Sequence, residues 1–232
     1  MKDENPVPAQ TQRLASLGFM VAAVCHEVSN PLAAVSSMLQ ILQSRRGVTP
    51  ETLEKGLASI ASNVARVVAI TKKLGDYSRV SGDAPAAVAI DEAVETAATL
   101  LRHSSCGRRV KVDYRGMPGV ATFARPGELE QVLLNVFLNA AQAMQGAGRI
   151  EAQASRADGR IELSIHDSGP GIAPEHLGRV FDPFFSTKPP GEGTGLGLAI
   201  TYEIVQQLGG SIHAANDPRG GACFNLFLPV HP

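Results

Sequence analysis

Between Leu14 and Leu42 the apolar residues recur at alternating spacings of three and four: Leu14, Leu17, Val21, Val24, Val28, Pro31, Val35, Met38 and Leu42. That is the period of a helix with one narrow buried seam. The helix is expected to end at "SRRG", where Arg45 and Arg46 suit the C-terminal dipole and Gly47 the left-handed cap. A second helix is expected from "TPE", with Thr49 as cap and Pro50 at the first helical position. Its seam runs Leu53, Leu57, Ile60, Val64, Val67, Leu74. A short turn between two long helices makes an antiparallel hairpin. Two helices with one seam each cannot enclose a core, but two hairpins can, as a four-helix bundle. The sequence therefore predicts a homodimer; the plainer alternative is a hairpin packed on the rest of its own chain.

The same register places residues that a packed helix does not need. In "AVCHEVSNPLAAV" (23–35), His26 falls at the outermost position of the wheel and Asn30, four residues on, shares its face. Glu27 is rotated roughly a quarter-turn or more, so it reaches the imidazole only with its long side chain. Pro31 lacks the backbone donor, so the helix is expected to kink or loosen just after the histidine. The stretch presents an exposed imidazole on a rigid element, with a carboxylate and an amide nearby. Cys25 reads as packing.

"VSGDAPAAV" (80–88) breaks the helical pattern. The expected organisation is a flexible segment 1–12, a helical hairpin 13–80, a linker 81–87 and a second domain 88–230. There the reading is a helix over 91–105 capped by Asp91, strands over 109–114 and 119–123, and an amphipathic helix over 128–144. A hairpin over 148–167 turns at Asp158-Gly159, the strongest short-range hairpin signal. A helix over 196–210 and a last hairpin over 211–229 follow. This order predicts an α+β sandwich, with helices on one face of a mixed sheet.

Composition narrows the function classes. At 232 residues the chain has room for one large or two modest domains. A net charge of −1 predicts no general attraction to nucleic acid or anionic membrane. Cys25, Cys106 and Cys223 are widely spaced and odd in number, as expected of buried thiols in a reducing compartment and not of a disulfide frame or zinc site. The run "LGFMVAAVC" stops at His26, well short of the ~20 residues a membrane span needs. "MKDENPVPAQTQ" is not a signal peptide. The expected setting is cytoplasmic and soluble, with no direct membrane insertion.

Three pieces of the second half point to a bound nucleotide. In "HDSGPGI" (166–172), Asp167 ends an apolar strand and precedes Gly169 and Gly171. A carboxylate there can accept a hydrogen bond from an amine such as that of adenine, while glycines admit a flat base to the backbone. Asp-x-Gly is also a common turn. In "GEGTGLGL" (191–198), closely spaced glycines open a helix, an anion site suited to phosphates or simply a flexible loop. It is neither the Walker pattern nor the dinucleotide fingerprint. Asn135 and Asn139 share one helix face, where paired carbonyl oxygens suit magnesium that also holds phosphate; a polar stripe on an exposed face is the bland alternative.

Taken together and in this order, these stretches resemble the GHKL (Bergerat) ATP-binding fold of two-component sensor histidine kinases. "QVLLNVFLNAAQA" is similar to their N box, "DSGPGI" to the first glycine box, "FDPFFSTK" (181–188) to the F box and "GTGLGL" to the second glycine box. In the first half "HEVSNPL" (26–32) is similar to the H box. The resemblance covers essentially residues 12 to 230.

The resemblance implies that His26 takes the γ-phosphoryl of ATP, with Glu27 as the adjacent base. A neutral imidazole is a nucleophile near pH 7, and a carboxylate favours the attacking tautomer. It implies that Asn139 holds magnesium with Asn135 supporting or sharing it, and that Asp167, beside Gly169 and Gly171, receives adenine. Gly193, Thr194, Gly195, Leu196 and Gly197 would line the phosphates. The span from Pro174 to Glu192 would be a lid, anchored by Phe181, Phe184 and Phe185. Where some relatives carry lysine or arginine three residues after the magnesium asparagine, this chain has Gln142, and Lys188 would bring the cation instead, as in the nitrogen-regulator-like subgroup. "ARPGE" (124–128) leaves the cap of the N-box helix open. Asn30 would orient water against the aspartyl-phosphate of a bound regulator, which implies phosphatase activity. His103, His166, His176, His213 and His231 read as structural or surface residues.

The implied partners are a second copy of the chain and the receiver domain of a response regulator. The input comes either from a separate sensor or activating protein or from a longer chain of which this is the transmitter portion. One competing reading is a GHKL ATPase that turns over ATP for conformational change without phosphohistidine. A non-enzymatic phosphotransfer or scaffold dimer is disfavoured because every nucleotide box looks intact. A zinc protease is disfavoured because Asn30 stands where "HExxH" needs its second histidine.

Overall fold

The computed structural model describes residues 28–44, 49–79, 84–189 and 195–231. The chain divides into two compact units at Arg79/Val80.

In the first unit, helix α1 is described over 28–43 and α2 spans Pro50–Arg79. Leu14, Leu17, Val21, Val24 and the "RRG" stop at 45–47 lie outside the described residues, as does the Leu74 side chain. Thr49 behaves as expected of a cap: its Oγ1 accepts from the Thr52 amide at 3.2 Å, satisfying one of the free first-turn donors. The helix carries through Pro31, which is buried, and Val35, Met38 and Leu42 are half-buried on the same seam. The α2 seam differs from expectation. Gly56 is the buried residue, and a methyl group there would meet Leu42 and Met38 at 3.2 Å. The small residue lets α1 lie close, and the hairpin contact therefore rotates toward Gly56, Ile60 and Val67. Leu53, Leu57 and Val64 are left facing outward with Val68. Leu32, Leu39 and Ile41 of α1 are exposed as well.

The second unit begins with β1 (Ala86–Ala89), antiparallel to β3 (Ala121–Ala124). Ala86 and Ala87 were expected in a linker. Nothing in "PAAVA" announces a strand, because the β3 residues it pairs with lie more than thirty residues away.

Helix α3 (Ile90–His103) buries Ile90, Ala93, Val94, Ala97, Ala98 and Leu101, a stripe at helical spacing. Its cap is Ala89, not Asp91. Asp91 sits in the first turn and its Oδ1 accepts from the Tyr114 hydroxyl at 2.6 Å and the Met117 amide at 3.1 Å, tying α3 to the end of β2. Burial and then this bond push the Tyr114 hydroxyl far above its ordinary pKa, so it stays a donor.

Helix α4 (Pro126–Ala143) starts two residues earlier than the sequence suggested. Pro126 opens it, and Glu128 folds back on Arg125, accepting from its backbone N at 3.3 Å and its guanidinium at 3.0 Å. That is the Glu half of a capping box, since an arginine side chain has no acceptor to return, and it answers the question "ARPGE" left open.

Strands β2 (Arg109–Arg115), β4 (Ala147–Ala157), β5 (Arg160–Asp167), β6 (Ser211–Asn216) and β7 (Ala222–Pro229) form one sheet in the order β2-β4-β5-β7-β6. β2 is parallel to β4 and the remaining pairs are antiparallel, so the sheet is mixed as expected. Asp158 and Gly159 turn the β4–β5 hairpin at φ 51° and 74°, the positive pair that a two-residue turn requires. Along β5 burial alternates, with Ile161, Leu163, Ile165 and Asp167 on the inner face. Phe137 of α4 and Phe224 of β7 are at most 1% exposed in the layer between sheet and helices. A short helix α5 (Pro174–Leu177), not expected from the sequence, and helix α6 (Gly197–Gln207) complete the unit.

Candidate functional site

The site assembles at the end of β5, where strand alternation points a carboxylate into the core layer. Asp167 is 3% exposed. Its Oδ1 accepts from the Gly169 amide at 2.8 Å and the Ala222 amide at 3.3 Å. Both donors use the same oxygen, which fixes the carboxylate plane. The β6–β7 turn can come this close only because of Gly221. It has φ 86°, and a Cβ on it would stand 1.7 Å from the Asp167 carbonyl oxygen. The first glycine loop is clasped from the other side. Asn216 accepts from the Ile172 amide at 2.7 Å and donates to the Ile172 carbonyl at 2.6 Å. His166 adds a tie between its ring Nε2 and the Gly220 carbonyl at 2.9 Å.

Helix α4 contributes a stripe of amides. Asn135, Asn139 and Gln142 lie at i, i+4 and i+7 on one face. Asn135 donates to the Gly197 carbonyl at 3.1 Å and the Thr201 hydroxyl at 3.4 Å, so it braces α4 against the first turn of α6. Asn139 is half-buried one turn on, and Gln142 is exposed.

The segment between α5 and α6 is anchored at several points. Phe181 packs edge-on to Phe224 at 6.3 Å and lies against Tyr202 at 5.7 Å, so it enters the sheet–helix layer as expected. Phe185 instead meets His176 at 5.2 Å, with Arg179 over its ring at 4.7 Å. Phe184 acts through its backbone. With φ 66° it donates its amide to the Gly195 carbonyl at 3.0 Å. A Cβ on Gly195 would lie 2.3 Å from the Phe184 carbonyl carbon, so the F-box and second-glycine-box stretches meet only through a glycine. Beyond this junction the Lys188 ammonium donates to the Gln142 side-chain oxygen.

The structure thus places Asp167 at the end of β5 with Gly169 and Gly171 just beyond it, Asn135 and Asn139 along α4, Lys188 between α5 and α6, and Gly195 and Gly197 at the start of α6. Leu196 is a core residue at 2% exposure and offers a ligand only its backbone. Asn30 is exposed on α1. His26, Glu27, Gly193 and Thr194 lie outside the described residues. Sequence reasoning missed Asn216 and Gly221. The hairpin read over 211–229 implied a turn, but not the carboxylate that turn would cover.

Comparison with known proteins follows the same division. Residues 16–82 match the family "His Kinase A (phospho-acceptor) domain", and residues 124–232 match "Histidine kinase-, DNA gyrase B-, and HSP90-like ATPase". A solved mycobacterial sensor histidine kinase, MprB, is 30% identical with a TM-score of 0.55; the match covers 64% of this chain and 99% of that one. The chain belongs to the sensor histidine kinases. Among curated members of the family, ZraS of Klebsiella oxytoca is 33% identical over 99% of this chain and 50% of its own length. AtoS of Escherichia coli K12 is 35% identical over 97% and 36%. This histidine kinase chain therefore spans about half, or less, of the length of these relatives. The crystal structure of histidine kinase ThkA in complex with response regulator TrrA matches at 25% identity and TM-score 0.66, over 97% of this chain and 65% of that one. Among the described residues no helix is long and apolar enough to cross a membrane.

Proposed function

We propose that the chain is the transmitter of a two-component system, cytoplasmic, ATP-dependent and autophosphorylating on His26. Residues 13–80 would serve dimerisation and phosphotransfer, joined by a linker at 81–87 to a catalytic domain at 88–230. The observation that carries this reading is Asp167, buried, with one carboxylate oxygen taken by two backbone amides and the other left for an exocyclic amine. Asp167, Gly169 and Gly171 would receive adenine. The amides opening α6, at Gly195 and Gly197 with Gly193 and Thr194 before them, suit phosphate. Asn139 offers a neutral amide oxygen, which fits a magnesium ion whose other ligands are phosphate oxygens and water. Asn135 supports that site by bracing α4 on α6, and Lys188 would bring a cation to the phosphates.

Bound ATP with magnesium supplies the γ-phosphoryl group. His26 accepts it through a ring nitrogen as the bond to ADP breaks, and Glu27 draws off the imidazole proton. The phosphoryl then passes to an aspartate on a response regulator's receiver domain. The ThkA complex, in which a related kinase holds a response regulator, supports that class of partner. A solved relative, ShkA, was crystallised with AMPPNP, which supports the nucleotide. The outward-facing leucines of α1 and α2 support a homodimer. The signal would reach it from a separate sensor protein or from further chain.

Incubation with γ-labelled ATP and magnesium tests the reading. Wild type should carry alkali-stable, acid-labile label, absent from His26→Gln. ATP turnover without protein label, unchanged in that variant, would favour a conformational ATPase of the same fold. Asn30→Ala should keep the label but lose dephosphorylation of the regulator; an unchanged rate would remove the water-positioning role.

A further inference from the structure

The hydrogen bond between Lys188 and Gln142 joins residues 46 positions apart and closes the end of the lid segment onto the amide stripe of α4. One backbone contact holds the segment from outside: Phe184 donates to Gly195 at the start of α6. Within the segment the Lys188 backbone amide donates to the Ser186 hydroxyl at 3.2 Å, a local turn beside the ammonium's stem. Gln142 then receives the ammonium one helical turn beyond Asn139, on the same face of α4.

The residue type at 142 matters. A lysine side chain is a flexible four-carbon stem, and ordering it costs rotamer freedom each time it engages a ligand. An amide oxygen can pre-order the ammonium without cancelling its charge. A carboxylate would hold it more tightly but neutralise the field that a phosphate feels. A second cation would repel it.

We propose that Gln142 is a positioning residue: a neutral acceptor on α4 that holds the Lys188 ammonium beside Asn139, ready for the β- and γ-phosphates of the nucleotide. The inference rests on the reading above that Lys188 serves the phosphates. It assigns Gln142 no contact with substrate; its effect travels through Lys188. It also accounts for a neutral residue where some relatives place a cation, since the cation here arrives from the lid.

Binding of ATP and of AMP to the full chain, each with magnesium, separates positioning from general structure. AMP uses the Asp167 end of the site but lacks the phosphates Lys188 would meet. Gln142→Ala should weaken ATP binding about tenfold, the scale of one hydrogen bond to a charged group, and leave AMP binding unchanged. Lys188→Ala should do the same, and the double variant should bind ATP no worse than Lys188→Ala alone. Gln142→Glu should also weaken ATP selectively. The proposal is overturned if Gln142→Ala binds ATP like wild type while Lys188→Ala does not. It is equally overturned if Gln142→Ala weakens AMP as much as ATP, or if the two losses add. Unaltered ATP binding by Lys188→Ala would instead sink the parent reading of the lysine, and the positioning role with it.

Discussion

The two units of this chain handle apolar surface in opposite ways. The sandwich hides Phe137, Leu133, Ile150, Ile161, Leu163 and Leu226 completely. The hairpin leaves Leu57 at 55%, Ile41 at 50% and Val68 at 59% exposure. One unit completes its core within a single chain, because its large sheet and the helices α3, α4 and α6 supply two facing layers. The other is described as two helices that meet at Gly56, and their outer faces carry exposed apolar side chains among the described residues. On the function proposed above, the self-contained unit is the one that holds the nucleotide, and the hairpin keeps apolar surface for a second copy of the chain.

The comparison can be broken most severely from the sandwich side. Phe137→Ala removes a fully buried ring between α4 and the sheet and should cost about 3–5 kcal/mol of stability. The urea midpoint of the full chain reads it, and a loss below about 1 kcal/mol would mean that this core is not close-packed.

On the hairpin the same kind of change should act differently. Leu57→Glu places a charge on a side chain already open to water, so the isolated protomer should be nearly unaffected. In a four-helix bundle the charge is buried against a second copy, and dimer affinity should fall at least about tenfold. Sedimentation across a concentration series measures this. A dimer indifferent to the substitution would move the interface elsewhere.

The smallest effect lies at the β6–β7 turn, where charge rather than burial does the holding. Arg219 side-chain and backbone donors lower the Asp217 carboxyl from 3.8 to about 2. A depressed folded-state pKa contributes stability that is whole above about 3.8 and is lost as pH falls through about 2. Wild type should therefore exceed Asp217→Asn slightly in urea midpoint at pH 5, with the gap narrowing toward pH 3. A gap that widens on acidification would reverse the assignment.

Much of this was readable in advance, and the reason is locality. The Thr49 cap, the Asp158-Gly159 turn, the β5 alternation and the amide stripe of α4 depend on residues within a few positions of each other, and helical or strand period exposes them. Asp91 was misread as a cap because a first-turn carboxylate looks identical in sequence whether it caps its own helix or serves Tyr114, 23 residues on. The pairing of β1 with β3, the Phe184–Gly195 junction, the cover of Gly221 over Asp167 and the Lys188–Gln142 bond all join distant segments. Which amide meets which carboxylate there is set by how the sheet orders its strands and where α4 and α6 come to rest on it. The chain's own sequence determined that it would carry an α+β sandwich of the histidine-kinase ATPase type and a helical hairpin with more apolar residues than two helices can bury. Only the tertiary structure decided that a neutral glutamine would hold the lid's cation, because a hydrogen bond between residues 46 apart has no periodic trace.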